Sequence, residues 1–249
     1  MLLDHRSGQG HRQAEVAKLF NSQPSANVAD LFLLILRSAT SQRLVYSKPD
    51  RLQRTAHSIK CTAPIMLVLA SNSPRRKEIL TAAGIPFIVR APNIAEELRP
   101  DESPLDYVRR LAQEKALAIP VGPSEIVLAA DTTVILEEHI LEKPRDQADA
   151  LRMLRLLSGH EHNVVTGICL RTRDTQVIDI AITKVRFLPL TKREIEDYAA
   201  SGEPMDKAGG YAIQGRACKF IDRIEGCYFN VVGLPISLVY CHLKKLAWQ

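Results

Sequence analysis

Asp131 is the residue of this sequence with the clearest chemical potential. It lies inside the apolar run IVLAADTTVIL (126–136), where a carboxylate must be paired, metal-bound or protonated, because burying it alone is prohibitive. One interpretation is that a strand ends at Ala130 and that Asp131 only begins a turn. Strand-like composition resumes at Thr132, however, without Gly, Pro or Asn. A carboxylate aimed into a crevice from such a strand suits a general base or a metal ligand.

Two adjacent arginines stand at a predicted strand-to-helix junction. Ser73 suits the N-cap of the helix and Pro74 suits its first position. Arg75 and Arg76 therefore lie at a helix end that already carries partial positive charge. Either both guanidinium groups point into solvent, or a phosphate chain is bound there by the helix N–H groups, the hydroxyls of Ser71 and Ser73 and the guanidinium groups. The physics alone leaves both interpretations open.

Lys115 is a third candidate, because it falls beside the apolar stripe of a helix that begins near Pro104. Its stem could pack against the protein while the ammonium reaches water, or the ammonium could be directed at the same anion. Three weaker features are the Glu96–Glu97 pair in a polar loop, Lys143 after a hairpin, and Gln214, whose amide is able to read the edge of a nucleotide base.

An alternation of strand and helix patterns positions these residues. The predicted strands cover 66–70, 86–90, 126–136, 164–171 and 176–188, with a short returning strand after 137–139, and two more strands near 218–222 and 228–232. The predicted helices cover 74–83, 103–118, 146–159 and 191–202, and a last helix begins at 235. This order predicts an α/β fold, with a mixed central β-sheet flanked by helices, in one domain over 66–249.

The charge of the chain is concentrated in its first 65 residues. They hold nine of the 33 basic and four of the 28 acidic residues, which leaves 24 of each in 66–249. The weak periodicity of 1–65 predicts an N-terminal extension that is disordered or loosely helical, with Met66 as an alternative start. Because the rest of the chain has no net charge, it lacks the broad positive surface that binds nucleic acid.

Two other classes of protein are disfavoured by the sequence. No run approaches the roughly 18–20 apolar residues of a membrane span, so no membrane association is predicted. The five cysteines are scattered, odd in number and without CxxC spacing. They indicate a reduced, cytoplasmic setting, with neither a disulfide framework nor a zinc site.

Taken together, these segments resemble the Maf-like nucleoside triphosphate pyrophosphatases. The matching segments span nearly all of 66–249 in the family's order, and they are LASNSPRR (69–76), RLAQEKA (110–116), AADTTV (129–134), LEKP (141–144), LSGHEHNVVTG (157–167), DKAGGYAIQG (206–215) and NVVGLP (230–235). The resemblance implies an elongated, two-lobed fold of the Maf/ITPase type, with the active site in the cleft between the lobes. It is also compatible with a homodimer.

The resemblance implies hydrolysis of a nucleoside triphosphate to the monophosphate and pyrophosphate, with a divalent cation, Mg²⁺ or Mn²⁺. The segment DKAGGYAIQG is similar to that of the branch of the family that acts on dTTP and UTP, although Ala212 stands where glycine is commoner. Modified pyrimidine nucleotides are further candidate substrates. The alternatives are an enzyme of the same family that prefers 7-methyl-GTP and a non-catalytic nucleotide sensor that regulates cell division.

The resemblance also assigns roles to residues, motif by motif. Asp131 is implied as the catalytic base. The implied phosphate-binding residues are Ser71, Arg75, Arg76, Lys115 and Lys143, and the residues implied in base selection are Arg75, Thr132 and Gln214. Glu96 is implied as the partner of Asp131 around the metal, and Glu97 competes for this role because the preceding loop varies in length.

Overall fold

The computed structural model describes residues 65–246, so the extension predicted for 1–65 lies outside it except for Ile65. The strands are β1 Met66–Leu69, β2 Phe87–Val89, β3 Glu125–Leu136, β4 His139–Leu141, β5 Glu161–Arg171, β6 Gln176–Phe187 and β7 Ile221–Glu225. The helices are α1 Pro74–Ala82, α2 Pro104–Leu117, α3 Gln147–Leu157, α4 Lys192–Ala200, α5 Tyr228–Val232 and α6 Ile236–Lys245. Three short 3₁₀ helices cover Glu203–Asp206, Ala208–Gly210 and Arg216–Phe220.

The seven strands form one open mixed sheet in the order β2-β1-β3-β5-β6-β7, and β4 pairs with the end of β3. The pairs of β1 with β2 and with β3 are parallel, and the remaining pairs are antiparallel. Long apolar strands such as β3 are buried on both faces, because helices cover the sheet. The predicted α/β fold with a mixed sheet flanked by helices is confirmed.

The apolar core changes along the length of β3. The first half of the strand, around Ile126 and Leu128, packs with β1, α1 and α6. The second half, around Val134 and Leu136, packs with α3, α4 and the 3₁₀ segments. Asp131 lies on β3 between these two cores.

A glycine brings α2 onto the sheet. Gly167 of β5 pairs with Asp131 across the ladder, and a Cβ built on Gly167 would lie only 2.4 Å from the backbone oxygen of Val108. Only glycine therefore permits this close approach of α2 to the strand. Lys115 lies two helical turns after Val108 on α2. The close approach of α2 therefore brings Lys115 beside Asp131.

Two predictions near the end of the chain are wrong. Residues 228–232 form α5 instead of a strand, although their aromatic and β-branched composition favours a strand. The side chain of Asn230 in α5 donates to the Val164 oxygen at 2.9 Å and to Thr183 Oγ1 at 3.0 Å, so distant contacts hold the helical turn. The strand predicted over 218–222 begins only at Ile221, because Arg216–Phe220 form a 3₁₀ helix.

Two observations bear on the environment of the protein. No helix in the range 65–246 is both long enough and apolar enough to cross a membrane. The four cysteines of the described part, Cys169, Cys218, Cys227 and Cys241, are free thiols.

Candidate active site

A polar cavity of about 420 Å³ opens beside the middle of β3, where the two cores meet. The loop after β1, the start of α1, the polar loop before α2 and the segment after α4 also contribute to its walls. All nine residues singled out from the sequence line it, namely Ser71, Arg75, Arg76, Glu96, Lys115, Asp131, Thr132, Lys143 and Gln214. The fold thus brings together residues that are up to 143 positions apart in the chain.

A buried lysine joins two of the carboxylates that line the cavity. Lys115 Nζ lies 2.6 Å from Asp131 Oδ1 and 2.7 Å from Glu96 Oε1. Lys115 and Asp131 are each only 6% exposed, so the ammonium does not reach bulk water and the snorkelling alternative is wrong. Partial burial opposes ionisation of Glu96, but the hydrogen bond and charge of Lys115, with the charges of Lys143 and Arg76, hold the pKa of Glu96 below its ordinary value.

Glu96 and Glu97 differ in position, although the sequence left the choice between them open. Glu96 turns its carboxylate into the cavity and contacts Lys115. Glu97 is exposed and does not line the cavity, and its backbone oxygen accepts a hydrogen bond from Arg110 at 2.9 Å. The geometry therefore favours Glu96 as the carboxylate that acts together with Asp131.

Arg76 is fixed by three hydrogen bonds from its guanidinium group. Nε donates to the Gly233 oxygen at 2.9 Å, Nη1 donates to Ser71 Oγ at 3.1 Å and Nη2 donates to Thr132 Oγ1 at 3.3 Å. These partners come from the loop after β1, from β3 and from the turn after α5. Arg76 is thus held inside the cavity wall and does not extend into solvent.

Arg75 turns to the 3₁₀ segment Glu203–Asp206 that follows α4. Its Nη1 donates to Asp206 Oδ2 at 2.9 Å and its Nη2 donates to the Asp206 backbone oxygen at 3.2 Å. Ser73 is the N-cap of α1 as predicted, but its hydroxyl makes no capping hydrogen bond. The Ser71 hydroxyl instead accepts from the Ser73 N–H at 3.2 Å. The two neighbouring arginines therefore serve different walls of the same cavity.

The remaining predicted residues line other parts of the cavity. Thr132 Oγ1 lies 2.9 Å from Thr166 Oγ1, so this hydroxyl belongs to a chain that also includes Arg76. Lys143 is exposed at the end of the β4 hairpin, and Gln214 is exposed on the irregular segment after α4. These side chains stand at the mouth of the cavity and are accessible to a ligand.

The sequence did not identify Tyr107 or Asp206 as residues of this region. The Tyr107 hydroxyl donates to the Glu142 carboxylate, and it lies 3.3 Å from the Glu96 backbone oxygen. A second cavity of about 230 Å³, next to the first, is lined by Tyr107, Asp131 and Glu142 among others. The only sequence signals were that Tyr107 shares a helix face with Lys115, eight residues away, and that Asp206 begins the DKAGG segment.

The donor atoms of the cavity suit a hard divalent cation. The Glu96 and Asp131 carboxylates meet at one ammonium, so their nearest oxygens are close together, and carboxylate oxygen is the preferred ligand of Mg²⁺ and Mn²⁺. In the part of the chain that the structure describes, no group of three His, Cys, Asp or Glu residues could hold a metal ion. The residues therefore fit an ion that takes its other ligands from phosphate and water.

Comparison with known proteins agrees with this geometry. The dTTP/UTP pyrophosphatase of Geobacillus sp. (strain WCH70) is 48% identical over 183 residues, which cover 73% of this chain and 98% of that protein. The dTTP/UTP pyrophosphatase of Koribacter versatilis (strain Ellin345) is 46% identical over 180 residues, covering 72% of this chain and 93% of that protein. The corresponding protein of Vibrio cholerae serotype O1 is 49% identical over 172 residues, covering 68% and 92%. The family described as Maf-like protein matches residues 66–246, and the chain belongs to this family.

Proposed function

We propose that this protein hydrolyses dTTP and UTP to the nucleoside monophosphate and pyrophosphate. The observation that carries the proposal is the convergence of three cationic side chains, Arg76, Lys115 and Lys143, with the Asp131 carboxylate in one cavity. The relatives named dTTP/UTP pyrophosphatase support this choice of reaction and substrate. Modified pyrimidine triphosphates are further candidate substrates.

The cations bind and orient the triphosphate. Arg76 is fixed by its three hydrogen bonds and presents a guanidinium edge to the phosphates without further reorganisation. Lys143 lines the same cavity, and Ser71 adds a hydroxyl group. Negative charge gathers on the leaving pyrophosphate as the bond between the α-phosphorus and the bridging oxygen breaks, and these groups stabilise that charge.

Asp131 acts as the general base. Lys115 Nζ donates to Asp131 Oδ1, and we assign Oδ2 to the attacking water. Asp131 takes a proton from this water as the oxygen forms its bond to the α-phosphorus. Such a base accelerates a reaction by about 10²- to 10⁴-fold. The burial of Asp131 and Lys115 excludes bulk water and strengthens the electrostatic interactions at the reacting centre.

A divalent cation, Mg²⁺ or Mn²⁺, is part of the same proposal. Glu96 and Asp131 would hold it, since their carboxylates are the two that meet inside the cavity. When bound, the cation supplies neutralisation of charge on the phosphate oxygens. Lys115 then orients the two carboxylates from the side of α2.

Base selection is assigned to Arg75, Thr132 and Gln214. The Gln214 amide carries both a donor and an acceptor, which match the N3–H and O4 groups on the edge of uracil and thymine. A site built to hydrogen-bond one pattern rejects a base that leaves its polar groups unpaired. This arrangement favours dTTP and UTP over purine triphosphates.

The test is pyrophosphate release from the purified full chain, with Mg²⁺ or Mn²⁺ and a panel of triphosphates that includes dTTP, UTP, dGTP and 7-methyl-GTP. We expect dTTP and UTP to be hydrolysed fastest, with equal amounts of monophosphate and pyrophosphate. A preference for 7-methyl-GTP would contradict the substrate assignment. Tight binding of nucleotides without pyrophosphate release would contradict catalysis and indicate a sensor.

The cellular setting is a further part of the proposal. The free thiols of the described cysteines support a reduced, cytoplasmic location. The zero net charge of 66–249 supports a small-molecule substrate and not a nucleic acid. A homodimer is proposed from the family resemblance alone, and light scattering after size-exclusion chromatography measures it directly.

A further inference from the structure

One wall of the cavity is an irregular segment that is fastened at both of its ends. This recognition loop consists of residues 211–215, with Arg216 as the first residue of the following 3₁₀ helix, and it carries Gln214. At its start, the Ala212 N–H donates to the Tyr198 hydroxyl at 3.1 Å. At its end, the Arg216 N–H lies 3.0 Å and 3.2 Å from the two carboxylate oxygens of Glu203.

Tyr198 and Glu203 are themselves joined. The Tyr198 hydroxyl donates to Glu203 Oε1 at 2.9 Å, so one hydroxyl and one carboxylate form a continuous brace between the two ends of the loop. Tyr198 is 3% exposed, and its ring packs edge-to-face on Phe220 at 5.5 Å. Burial and the hydrogen bond to Glu203 raise the pKa of Tyr198, so its hydroxyl remains a donor. The brace is therefore fixed to the core below the loop.

The loop is shaped to receive this carboxylate. A Cβ built on Gly215 would lie 2.2 Å from Glu203 Oε1, so the carboxylate passes close to the chain at this glycine. At the other end, the Tyr211 hydroxyl lies 2.9 Å from Nε2 of the buried His162 on β5. Ile213 and Gln214 lie between these fixed points and line the cavity.

We propose that Tyr198 and Glu203 position the recognition loop for base selection, so that their hydrogen bonds set the preference for pyrimidine over purine triphosphates. This inference rests on the proposed function and deepens it. Neither residue lines the cavity, and both act through the backbone of the loop. Their hydrogen bonds go to the loop side of the cavity, away from the Asp131–Lys115 pair that carries the chemistry. They are positioning residues, and their loss should alter selectivity more than turnover.

The experiment compares Tyr198→Phe and Glu203→Gln with the unmodified full chain. Titration calorimetry measures the dissociation constants of α,β-methylene-dTTP and α,β-methylene-dGTP, which cannot be cleaved at the reacting bond, and kcat is measured with dTTP. Removing the Tyr198 hydroxyl leaves the Ala212 N–H without its acceptor, and Glu203→Gln replaces one of the two oxygens that face the Arg216 N–H with an NH₂ donor. We expect each change to reduce the dTTP-to-dGTP preference about 10-fold. We expect kcat with dTTP to change much less.

Tyr240→Phe is the matched control, because Tyr240 is exposed on α6 and does not line the cavity. It should leave the preference and kcat unchanged. The inference is overturned if Tyr198→Phe and Glu203→Gln keep the preference of the unmodified chain, or if all nucleotides weaken equally while thermal stability falls. If Tyr198→Phe does not fold, Glu203→Gln alone decides. Absence of pyrophosphate release from the unmodified chain would instead refute the proposed function, and the binding ratios would still test the loop.

Discussion

The two walls of the cavity are built in different ways. On the first wall, Arg76, Lys115 and Asp131 stand on regular elements, namely α1, α2 and β3. On the second, residues 203–216 form short 3₁₀ helices and an irregular loop, held mainly by side chains such as Tyr198 and Glu203. The first wall owes its geometry to backbone ladders and helix packing, and the second owes it to a few side-chain hydrogen bonds.

This difference matches two demands on an enzyme of this kind. The reacting groups must be held within fractions of an ångström, which regular elements achieve better than loops. Base selection can be altered by changes in a loop without disturbing the chemistry. The comparison therefore predicts that substitutions of Arg76, Lys115 and Asp131 on the first wall reduce rate or affinity, while those on the second wall change selectivity.

The largest expected effect is that of Asp131→Asn on the first wall. An amide cannot accept the proton of the attacking water, so we expect kcat for dTTP to fall by about 10²- to 10⁴-fold. The affinity for α,β-methylene-dTTP should be largely kept, because the cations remain. Asp197→Asn, at an exposed position of α4, is the control. Substantial activity in the Asp131→Asn protein would exclude Asp131 as the base.

The next effect concerns His162, which links the sheet to Tyr211. Burial lowers the pKa of His162 to about 4, whereas the unfolded chain takes up this proton near pH 6.5. The unfolded state then binds more protons below that pH, so the free energy of unfolding should fall by about 2 kcal/mol between about pH 6.5 and pH 5. Urea unfolding at both pH values measures this fall in the free energy of unfolding. The fall should be smaller in His162→Phe. It should be unchanged in the control His139→Gln, because His139 is exposed. If His162→Phe lost as much free energy of unfolding between these pH values as the unmodified chain, the buried His162 could not be the cause of the pH dependence.

The two neighbouring arginines allow a direct test of the comparison. Arg76→Lys cannot reproduce three hydrogen bonds from one planar group, so we expect the affinity for α,β-methylene-dTTP to fall about 10- to 100-fold. Arg75→Lys should retain more affinity and mainly shift the ratio of dTTP to dGTP binding. Equal losses in the two proteins, measured by titration calorimetry, would remove the distinction between the walls.

The smallest effect is expected for Asp206→Asn at the mouth of the cavity. Burial opposes ionisation, but hydrogen bonds from Lys207 and Arg75 lower the pKa of Asp206 to about 2. The resulting stability is present above the unfolded pKa of 3.8 and is lost as the pH falls towards 2. Because the Asp206 side chain is 62% exposed, the ion pair should contribute less than about 1 kcal/mol at neutral pH. Thermal unfolding should show a small loss that disappears at high salt, and a loss independent of salt would contradict a screened ion pair.

Much of the first wall could be predicted from the sequence, because its residues stand on elements with strong patterns. The apolar run of β3 and the stripe of α2 fixed the locations of Asp131 and Lys115. The nature of their contact could not be predicted, because it depends on the close approach of α2 at Gly167. The roles of all nine candidate residues stay predictions, although the structure places every one of them in the cavity.

The second wall could be predicted only in part. Gln214 was found through a motif, whereas Tyr198 and Glu203 carry no local signal, since one belongs to a helix and the other opens a 3₁₀ turn. Residues 228–232 were misassigned for a related reason. Their composition favours a strand, but the Asn230 side chain bonds to two distant strands and determines the outcome. Irregular segments depend on such contacts, which local patterns do not contain.

The continuity of the sheet limits how the cavity can open. The ladder between β3 and β5 runs unbroken from Val127 to Ile135, past Asp131 and from one core to the other. A hinge between the two cores would have to bend or separate this ladder, at a cost of about 0.5–1.5 kcal/mol for each hydrogen bond lost. We therefore expect the floor of the cleft to keep its width, so that nucleotides enter and leave through movements of side chains and loops at its rim.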